Sequence, residues 1–432
     1  MKRVGLYTLG CKVSQYETEA IAEKFAAAGY TVCDFSDFND VYVINTCTVT
    51  AEADRKSRQI IRRAKKKNPD ALVLVCGCYS QRSPEEVATI PDVDAVIGSA
   101  GKLSLVEIAE KLRSDGERYI AVTDIDKEPF EKMAVTKGPR TRVYVKIEDG
   151  CECKCSYCAI PTARGRVRSK PPCDVIAEVE ALSASGVREV VLTGIETGSY
   201  GKDFAEKYRL CDLLRELDAR GSAERIRLGS LAPELVGEEF VLAVRGLKSL
   251  APHFHLSIQS GSDNILRAMR RRYSRKTALE VIARIRENIP RATFTTDIMV
   301  GFPGETEEDF AESVSFVREA GFIDAHVFCY SKRKGTPAAS FPNQIPEDVK
   351  HGRSEELMRV VSEVRCRMLD GMVSDGVPMP AIFEQERNGL WYGHTDTFVE
   401  VAVKSGENLH GKICKVRPVT RKSATIIGEI VE

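Results

Sequence analysis

Four cysteines crowd into the eight residues CECKCSYC at 151–158, and the spacing of three of them suits an iron–sulfur cluster. Cys151, Cys155 and Cys158 form a C-x3-C-x2-C triad. Three thiolates on one short loop can hold three corners of a [4Fe–4S] cube, which leaves the fourth iron open to a substrate. A structural zinc site needs a fourth ligand, and none stands at a suitable spacing. Cys153 falls outside the triad spacing, and we expect it to be a bystander thiol.

Three further cysteines share a common position relative to apolar runs. Cys11 follows VGLYTLG, Cys47 follows VYVINT and Cys78 follows LVLVCG, so each stands just beyond a segment of strand length. Because the carboxyl ends of parallel strands meet at one edge of a sheet, we expect these thiols to converge. Cys76 is an alternative third ligand, but it lies inside its apolar run, where core packing is the better interpretation. The pattern predicts a second thiol site.

The segments that must position these cysteines begin with a βαβ pattern. Over the first ~115 residues, short β-branched runs alternate with helix-period segments, as expected for an open parallel α/β sheet. The four runs are 4–9, 40–45, 71–76 and 94–99.

A second series of apolar runs starts near residue 141. Helical patterns separate its six members, which are RVYVKIE, REVVLTG, RIRLGS, HFHLSIQ, ATFTTDIM and IDAHVFCY. Six strand–helix repeats predict a partial (β/α)6 barrel with its active face at the strand carboxyl ends. An open doubly wound sheet is the alternative.

The end of the chain changes character again. Five short strand patterns at close spacing, split by Asn-Gly and Ser-Gly-Glu-Asn turns, predict a small β-barrel of the oligonucleotide-binding kind. The whole chain is thus predicted as a multidomain α/β protein. Its parts are an N-terminal domain at 1–115, a linker at 116–136, a barrel domain at 137–368 and a small β-barrel at 369–432.

The cysteine motif and its neighbours carry a family resemblance. CECKCSYC before a six-repeat β/α region resembles the radical S-adenosylmethionine superfamily. Further motifs resemble its methylthiotransferase family, from the first strand to a final barrel similar to the TRAM domain. These are TLGCKVSQYETE (8–19), VINTCTVTAEADRKSRQ (43–59), GCYSQ (77–81), LTGIETGSYG (192–201), SIQSGSD (257–263), VGFPGET (300–306) and YSKRKGTPAA (330–339). The GC-x-x-Q pattern also selects Cys78 over Cys76.

Within the family, LTGI-x-TG-x-YG favours the MtaB type. Enzymes of this type add a methylthio group to threonylcarbamoyl-adenosine 37 of tRNA, and the resemblance implies the same activity for this chain. The alternatives are methylthiotransferases for isopentenyl-adenosine tRNA or for a ribosomal protein. A more distant alternative is a non-catalytic iron–sulfur RNA-binding protein, although such a scaffold has no need of a barrel with an open-iron site.

The resemblance implies two [4Fe–4S] clusters and S-adenosylmethionine in two roles. The radical triad (Cys151, Cys155 and Cys158) would be catalytic, because its cluster chelates S-adenosylmethionine and on reduction yields the 5′-deoxyadenosyl radical. The auxiliary triad (Cys11, Cys47 and Cys78) would hold the cluster that presents sulfur, and a second S-adenosylmethionine would supply the methyl group. Replacing the inert C–H at carbon 2 of adenine requires such radical chemistry. An external electron donor and a sulfur donor are therefore expected partners.

Residues near the strand ends are candidates for binding the cofactor. Tyr157 lies inside the cysteine loop, and Glu196 and Thr197 follow the second strand of the series, where the superfamily contacts the cofactor's amino group. Gln259 lies beyond the fourth strand and Asp297 lies near the end of the fifth. A plain loop turn remains an alternative for Glu196 and Thr197. His253 and His255 lack a third ligand, and we expect them to be structural.

Any RNA-binding surface must come from local patches, because 63 basic residues balance 63 acidic ones. Eight basic residues and no acid occur between Arg55 and Lys67, and further basic segments lie at 164–170 and 267–276. Neutralising several phosphates would give salt-dependent binding of tRNA at its anticodon loop. The candidate RNA-binding residues are Arg55, Arg58, Arg62, Arg63, Arg164, Arg168, Arg270 and Arg271.

Composition narrows the class of protein further. A chain that is 43% hydrophobic and 29% charged is typical of a folded globular protein. No stretch reaches the ~18 apolar residues of a membrane helix, and the first residues lack the apolar length of a signal peptide. We therefore expect a cytoplasmic protein without a membrane partner, whose cysteines are ligands or packing residues and not disulfides.

Overall fold

The computed structural model describes residues 2–138 and 141–431, and it begins with an α/β unit. The elements of this unit are β1 (Arg3–Thr8), α1 (Lys12–Ala27), β2 (Thr31–Cys33), β3 (Val41–Thr46), α2 (Ala51–Lys67), β4 (Leu72–Gly77), α3 (Cys78–Arg82), α4 (Pro84–Ala88), β5 (Ala95–Ile97), α5 (Leu105–Asp115) and β6 (Tyr119–Ala121). The strands form one parallel sheet in the order β2-β1-β3-β4-β5-β6. The predicted open parallel sheet is confirmed.

Two edge strands of this sheet are absent from the sequence prediction. β2 and β6 have three residues each, none of them buried, and neither shows the continuous apolar run that marks the inner strands. β6 lies within the predicted linker 116–136 and pairs with β5. Met133 and Val135, from the same region, are buried in the core of the next unit. The segment is thus packed along much of its length.

The central unit carries a second series of parallel strands. Its elements are β7 (Arg142–Lys146), β8 (Glu148–Asp149), α6 (Ile160–Arg164), β9 (Arg168–Ser169), α7 (Pro172–Ala184), β10 (Glu189–Thr193), α8 (Leu210–Arg220), β11 (Arg225–Leu228), β12 (Ser230–Leu231), α9 (Glu238–Val244), β13 (His253–Gln259), α10 (Asp263–Ala268), α11 (Arg275–Asn288), β14 (Thr293–Val300), α12 (Glu307–Ala320) and β15 (Asp324–Cys329). Short 3-10 helices lie at Lys102–Ser104, Thr197–Ser199, Pro233–Leu235 and Pro337–Ser340.

These strands follow the path of a partial (β/α)6 barrel. β11-β10-β7 form one parallel sheet and β12-β13-β14-β15 form another. Only Gly229 separates β11 from β12, so the two sheets continue into one another as six successive parallel strand positions. The predicted six-repeat architecture is confirmed. The core of this unit is the largest apolar cluster among the described residues. Helix α12 begins with a capping box, in which Thr306 and Asp309 accept each other's backbone N–H groups.

The last unit is a closed barrel reached through one long helix. Its elements are α13 (Glu347–Asp375), β16 (Met379–Arg387), β17 (Leu390–Thr395), β18 (Glu400–Val403), β19 (Ile413–Lys422) and β20 (Thr425–Val431). The strands close in the order β16-β17-β18-β20-β19 around their own apolar core, which confirms the predicted five-stranded barrel. The predicted boundary between 368 and 369 falls inside α13.

A loop of the closed barrel packs against the amino ends of the central strands. Arg227 Nη1 donates to the Asp396 carbonyl oxygen at 2.9 Å, and the Phe398 ring stacks on His253 with centroids 4.7 Å apart. His253 also bonds Thr295 Oγ1 at 2.9 Å. These contacts place His253 in the interface between the two units, as expected for a structural histidine. None of the helices in the described ranges has the length and hydropathy that a membrane crossing requires.

Candidate active site

The radical triad opens onto a cavity of about 240 Å³ at the carboxyl ends of the central strands. All three of its cysteines line this cavity. The loop that carries them starts at Gly150, whose φ of +88° is a conformation that glycine adopts without strain. A side chain there would also lie 1.9 Å from the Arg166 carbonyl oxygen. Gly150 therefore permits the close crossing that brings Cys151 to the cavity wall.

Each sulfur of the radical triad accepts one hydrogen bond at 3.4 Å. The Cys153 backbone N–H donates to Cys151, the Ile160 backbone N–H donates to Cys158, and the Arg271 guanidinium donates to Cys155. Hydrogen bonds of this kind favour the thiolate and are among the determinants of iron–sulfur cluster potentials. The local donors come from the loop itself, whereas Arg271 reaches the loop from beyond β13.

The donor set fits a cube better than a single ion. Three thiols share one cavity wall, and soft thiolates are the ligands that iron–sulfur clusters use. Among the residues that the structure describes, no three His, Cys, Asp or Glu side chains are close enough to hold one metal ion. Burial raises the pKa of Cys158 to about 12, so this thiol must lose its proton when iron binds.

The auxiliary triad assembles at the carboxyl edge of the N-terminal sheet. Thr46 of β3 pairs with Gly77 of β4, and Cys47 and Cys78 are the residues that directly follow this pair. Cys11 is the N-cap residue of α1 and lies three residues beyond the neighbouring strand β1. Burial, together with the thiols of Cys78 and Cys11, raises the pKa of Cys47 to about 12. The structure therefore brings the three predicted thiols together.

The neighbouring residues leave little choice of auxiliary ligands. A side chain at Gly10 would lie 3.4 Å from the Cys47 sulfur, so the chain turns tightly against that thiol before Cys11. Cys76 belongs instead to the core cluster on one face of the sheet, where it packs with Val43 and Leu74. It lies in the core, as its position in an apolar run predicts.

A buried ion network joins the N-terminal sheet to the central unit. Glu17 of α1 is fully buried and binds Arg164 Nη1 at 2.5 Å, Lys102 Nζ at 2.8 Å and Lys146 Nζ at 3.0 Å. Asp149 binds Lys146 at 3.1 Å and Arg164 at 3.2 Å. Burial alone would raise the pKa of Glu17, but Arg164, Lys102 and Lys146 outweigh it and hold that pKa well below its usual range. The three cations and two carboxylates form one buried cluster with a formal excess of one positive charge, and each charge has an opposite partner within 3.2 Å.

One member of the network also touches the auxiliary triad. Arg164 Nε donates to the Cys78 sulfur at 3.1 Å. Arg164 ends helix α6, which begins two residues after Cys158. The helix packs against α3, which begins with Cys78. The two thiol triads therefore lie on either side of one short helix.

Four of the five candidate cofactor residues line the radical cavity, namely Tyr157, Glu196, Gln259 and Asp297. Glu196 accepts a hydrogen bond from the Ala232 N–H at 2.9 Å, and burial raises its pKa to about 7. The fifth candidate, Thr197, is buried beside Gly229 and is outside the cavity lining. Its side chain faces the junction of the two central sheets instead.

Gln259 and Asp297 are held in specific ways. Gln259 has a φ of +72°, which is unusual for a residue with a side chain, and the β13–β14 register shifts next to it. Asp297 accepts from His255 at 3.2 Å and lies 3.6 Å from His326. Burial would raise the pKa of Asp297, but these imidazoles hold it below its usual range. The backbone of Gln259 and the side chain of Asp297 are thus held at the cavity.

The basic helix α2 begins beside the cavity. Its N-cap residue Thr50, whose side chain accepts from the Ala53 N–H, also lines the cavity. Arg62 and Arg63 are exposed and form no ion pair with the described part of the chain. Two other candidates on this helix are already paired with acids. Arg55 binds Glu52 at 2.5 Å, and Arg58 binds Glu86 at 3.0 Å.

The remaining RNA candidates divide into exposed and buried residues. Arg270 is exposed, but Arg164 and Arg168 are buried in the ion network, and their position does not fit the expected contact with RNA. Arg271 lines the cavity and donates to the Ser257 carbonyl oxygen at 2.8 Å. These three arginines make internal contacts with acidic, carbonyl or sulfur partners.

Several site residues went unnoticed in the sequence. Glu17, Lys102 and Lys146 lie in the buried network, and Glu148 accepts the Glu196 N–H at 2.9 Å beneath the cavity. Lys146 does leave a signal, since a lysine inside the apolar run RVYVKIE must find a buried partner. Arg271 offers no such signal within its exposed-looking basic segment.

Two family models match the chain. Residues 145–317 match the radical SAM superfamily, and residues 3–98 match the uncharacterized protein family UPF0004. Among solved structures, the radical S-adenosylmethionine methyltransferase TsrM from Kitasatospora setae superposes with a TM-score of 0.57 at 17% identity. The match covers 78% of this chain and 77% of that one. At this identity the likeness concerns the fold.

Curated relatives are closer. The threonylcarbamoyladenosine tRNA methylthiotransferase MtaB of Bacillus subtilis is 40% identical, over 96% of this chain and 94% of that protein. The tRNA-2-methylthio-N(6)-dimethylallyladenosine synthase of Caldicellulosiruptor saccharolyticus is 34% identical, over 100% of this chain and 93% of that protein. Enzymes of this group use S-adenosylmethionine and [4Fe–4S] clusters. The chain therefore belongs to the radical S-adenosylmethionine methylthiotransferase family and is an enzyme.

Proposed function

We propose that this enzyme adds a methylthio group to carbon 2 of N6-threonylcarbamoyl-adenosine 37 in the anticodon loop of cytoplasmic tRNA. The observation that carries the proposal is the pairing of two thiol triads across helix α6, one on the cofactor cavity and one on the sheet edge. A methyltransferase needs no second sulfur-rich centre, whereas sulfur insertion does. The reaction class follows from this pairing.

The substrate type is supported by the degree of similarity. The curated relatives named for threonylcarbamoyladenosine reach 40% identity, and those named for dimethylallyladenosine reach 34%. The motif LTGI-x-TG-x-YG at 192–201 points the same way. Two residues of this motif, Ile195 and Glu196, line the cavity. A substrate or cofactor bound in the cavity would therefore contact them.

The cofactors have a place among the chain's own residues. The radical triad would hold the cluster that binds S-adenosylmethionine, and the auxiliary triad would hold the cluster from which sulfur is delivered. When bound, the cluster of the radical triad and its S-adenosylmethionine supply the radical that removes the hydrogen from carbon 2. In this proposal Glu196 would bind the amino group of S-adenosylmethionine, and Gln259 and Asp297 line the same cavity.

RNA would approach along helix α2. The helix begins at the cavity with Thr50 and carries the exposed cations Arg62 and Arg63 away from it. Exposed cations without acidic partners are available for phosphates, and a base from a single-stranded loop can be unstacked into a pocket. Arg270, beyond β13, is also exposed and would contact the same loop of the RNA.

The test is a direct comparison of substrates. The anaerobically reconstituted enzyme is incubated with S-adenosylmethionine, a reductant and a sulfide source, which replace the electron and sulfur donors that we expect in the cell. One reaction contains tRNA bearing threonylcarbamoyl-adenosine 37 and the other contains tRNA bearing isopentenyl-adenosine 37. Nucleosides are then identified by mass spectrometry. We expect the methylthio product from the first tRNA, and product only from the second would assign the other substrate.

A further inference from the structure

Arg164 is fully buried, and every nitrogen of its guanidinium has a partner. Nε donates to the Cys78 sulfur at 3.1 Å, Nη1 binds Glu17 at 2.5 Å, and Nη2 binds Glu17 at 3.1 Å. Nη1 also lies 3.2 Å from Asp149. A planar guanidinium gripped on two sides by carboxylates keeps its remaining N–H aimed in one direction. Here that direction is the sulfur of an auxiliary thiol.

The same residue is rigidly connected to the radical triad. Arg164 is the last residue of the five-residue helix α6, whose first residue, Ile160, donates its N–H to the Cys158 sulfur at 3.4 Å. Helix α6 thus hydrogen-bonds one thiol of each triad. Arg168 Nη2 donates to the Arg164 carbonyl oxygen, so it contacts the main chain of Arg164 and not its guanidinium.

We propose that Arg164 is a positioning residue for the auxiliary centre, which holds the Cys78 ligand in place and raises the reduction potential of a cluster bound there. The inference rests on the proposed role of the auxiliary triad as a cluster site. A cationic donor to a ligating sulfur stabilises the extra negative charge of a reduced cluster, so its removal lowers the potential. Glu17 and Asp149 fix the direction of the donor.

The test uses the full chain with the radical triad changed to alanine, so that iron can bind only at the auxiliary triad. After anaerobic reconstitution, iron is counted and the midpoint potential of the cluster is measured by a redox titration followed by electron paramagnetic resonance. In this background, Arg164→Gln is expected to keep the fold by circular dichroism and to lower the midpoint potential. Arg164→Lys keeps the charge but loses the forked geometry. Its midpoint potential is expected to lie between those of the background protein and Arg164→Gln.

Arg168→Gln is the matched control. Arg168 is buried in the same network, 3.8 Å from Asp149, and within the described part of the chain it makes no hydrogen bond to a thiol. Its loss removes a similar buried charge, and the midpoint potential is expected to stay near that of the background protein.

The outcomes separate the inference from the function on which it rests. A background protein that binds no iron contradicts the auxiliary cluster itself, and with it both claims. Iron retained in Arg164→Gln with an unchanged potential overturns the role of Arg164 alone. If folded Arg164 variants lose iron while Arg168→Gln keeps it, the result supports the claim that Arg164 holds the Cys78 ligand in place. Arg164 variants that all fail to fold, beside a folded Arg168→Gln, contradict the inference, because Arg164 would then serve the fold and not the centre.

Discussion

Lys146 Nζ lies 3.0 Å from Glu17 Oε1, and this buried pair joins helix α1 of the N-terminal sheet to strand β7 of the central unit. The two residues are 129 positions apart in the chain. Because Arg164 of the central unit binds the same carboxylate, and Tyr16 and Ala20 of α1 pack in the central core, the two units are held together by charge as well as by apolar packing. Helix α1 follows Cys11 and strand β7 precedes Cys151, so this contact joins elements that stand next to the two thiol triads.

Removing the charge of Glu17 should therefore weaken the protein strongly. Glu17→Gln leaves three buried cations around a neutral side chain, and breaking a buried ion pair in this way costs about 3–5 kcal/mol. We expect the midpoint of urea unfolding to move to clearly lower urea. Glu107→Gln is the control, since the Glu107–Lys24 pair is exposed and worth less than about 1 kcal/mol. Equal midpoints for the two variants would contradict a stabilising network.

Iron content should report the two triads separately. We expect about eight irons per chain after anaerobic reconstitution, because each triad holds one cube of four. Changing Cys151, Cys155 and Cys158 to alanine should leave about four irons and abolish cleavage of S-adenosylmethionine. Cys153→Ala, next to the triad but outside its spacing, serves as the control and should keep about eight. Full iron in the triple variant would remove the radical triad from the account.

Cofactor binding should depend on pH near neutrality. Burial raises the pKa of Glu196 to about 7, so its carboxylate is largely protonated at pH 6 and largely ionised at pH 8. If Glu196 binds the amino group of S-adenosylmethionine, the Kd should fall as pH rises across this range. Calorimetric titrations at several pH values test this. In Glu196→Gln the Kd should be higher at pH 8 and its change between pH 6 and 8 should be lost; a retained pH profile would assign the effect to another group.

Binding of tRNA should depend on the unpaired cations of helix α2. Reversing Arg62 and Arg63 to Glu should weaken binding and reduce the slope of log Kd against log salt by about one unit for each lost phosphate contact. Filter binding across a salt series measures this slope. Arg55→Gln is the matched control on the same helix, because Arg55 is already paired with Glu52, and it should have a smaller effect. Iron content should be unaffected in both variants, and an unchanged slope in the double variant would place the RNA elsewhere.

The sequence was most informative where chemistry depends on local spacing or on strand ends. The radical triad follows from one short motif, and the auxiliary triad follows from the rule that parallel strands end at one sheet edge. The sequence was least informative about which basic side chains are exposed and which are buried. Arg164 and Arg62 look alike in basic segments, but Arg164 is buried by Glu17, which lies 147 positions away, and such pairing leaves no local trace.

The short edge strands β2 and β6 could not be predicted, for a related reason. β2 and β6 are positioned by pairing with β1 and β5, and three residues, none of them buried, carry too little periodicity to predict this. Cys155 could be assigned from its spacing, whereas its hydrogen bond from Arg271 requires the fold, because the two residues are 116 positions apart.

The central claim is that the two triads have separate roles, and the variant with Cys11, Cys47 and Cys78 changed to alanine tests it most directly. The measurement is the yield of 5′-deoxyadenosine and of methylthiolated nucleoside in the same reaction with tRNA bearing threonylcarbamoyl-adenosine 37. We predict that 5′-deoxyadenosine still forms, because the radical triad is intact, and that methylthiolated product is absent. Methylthiolated product at the level of the unaltered enzyme would contradict the account, since sulfur would then come from a source other than the auxiliary triad.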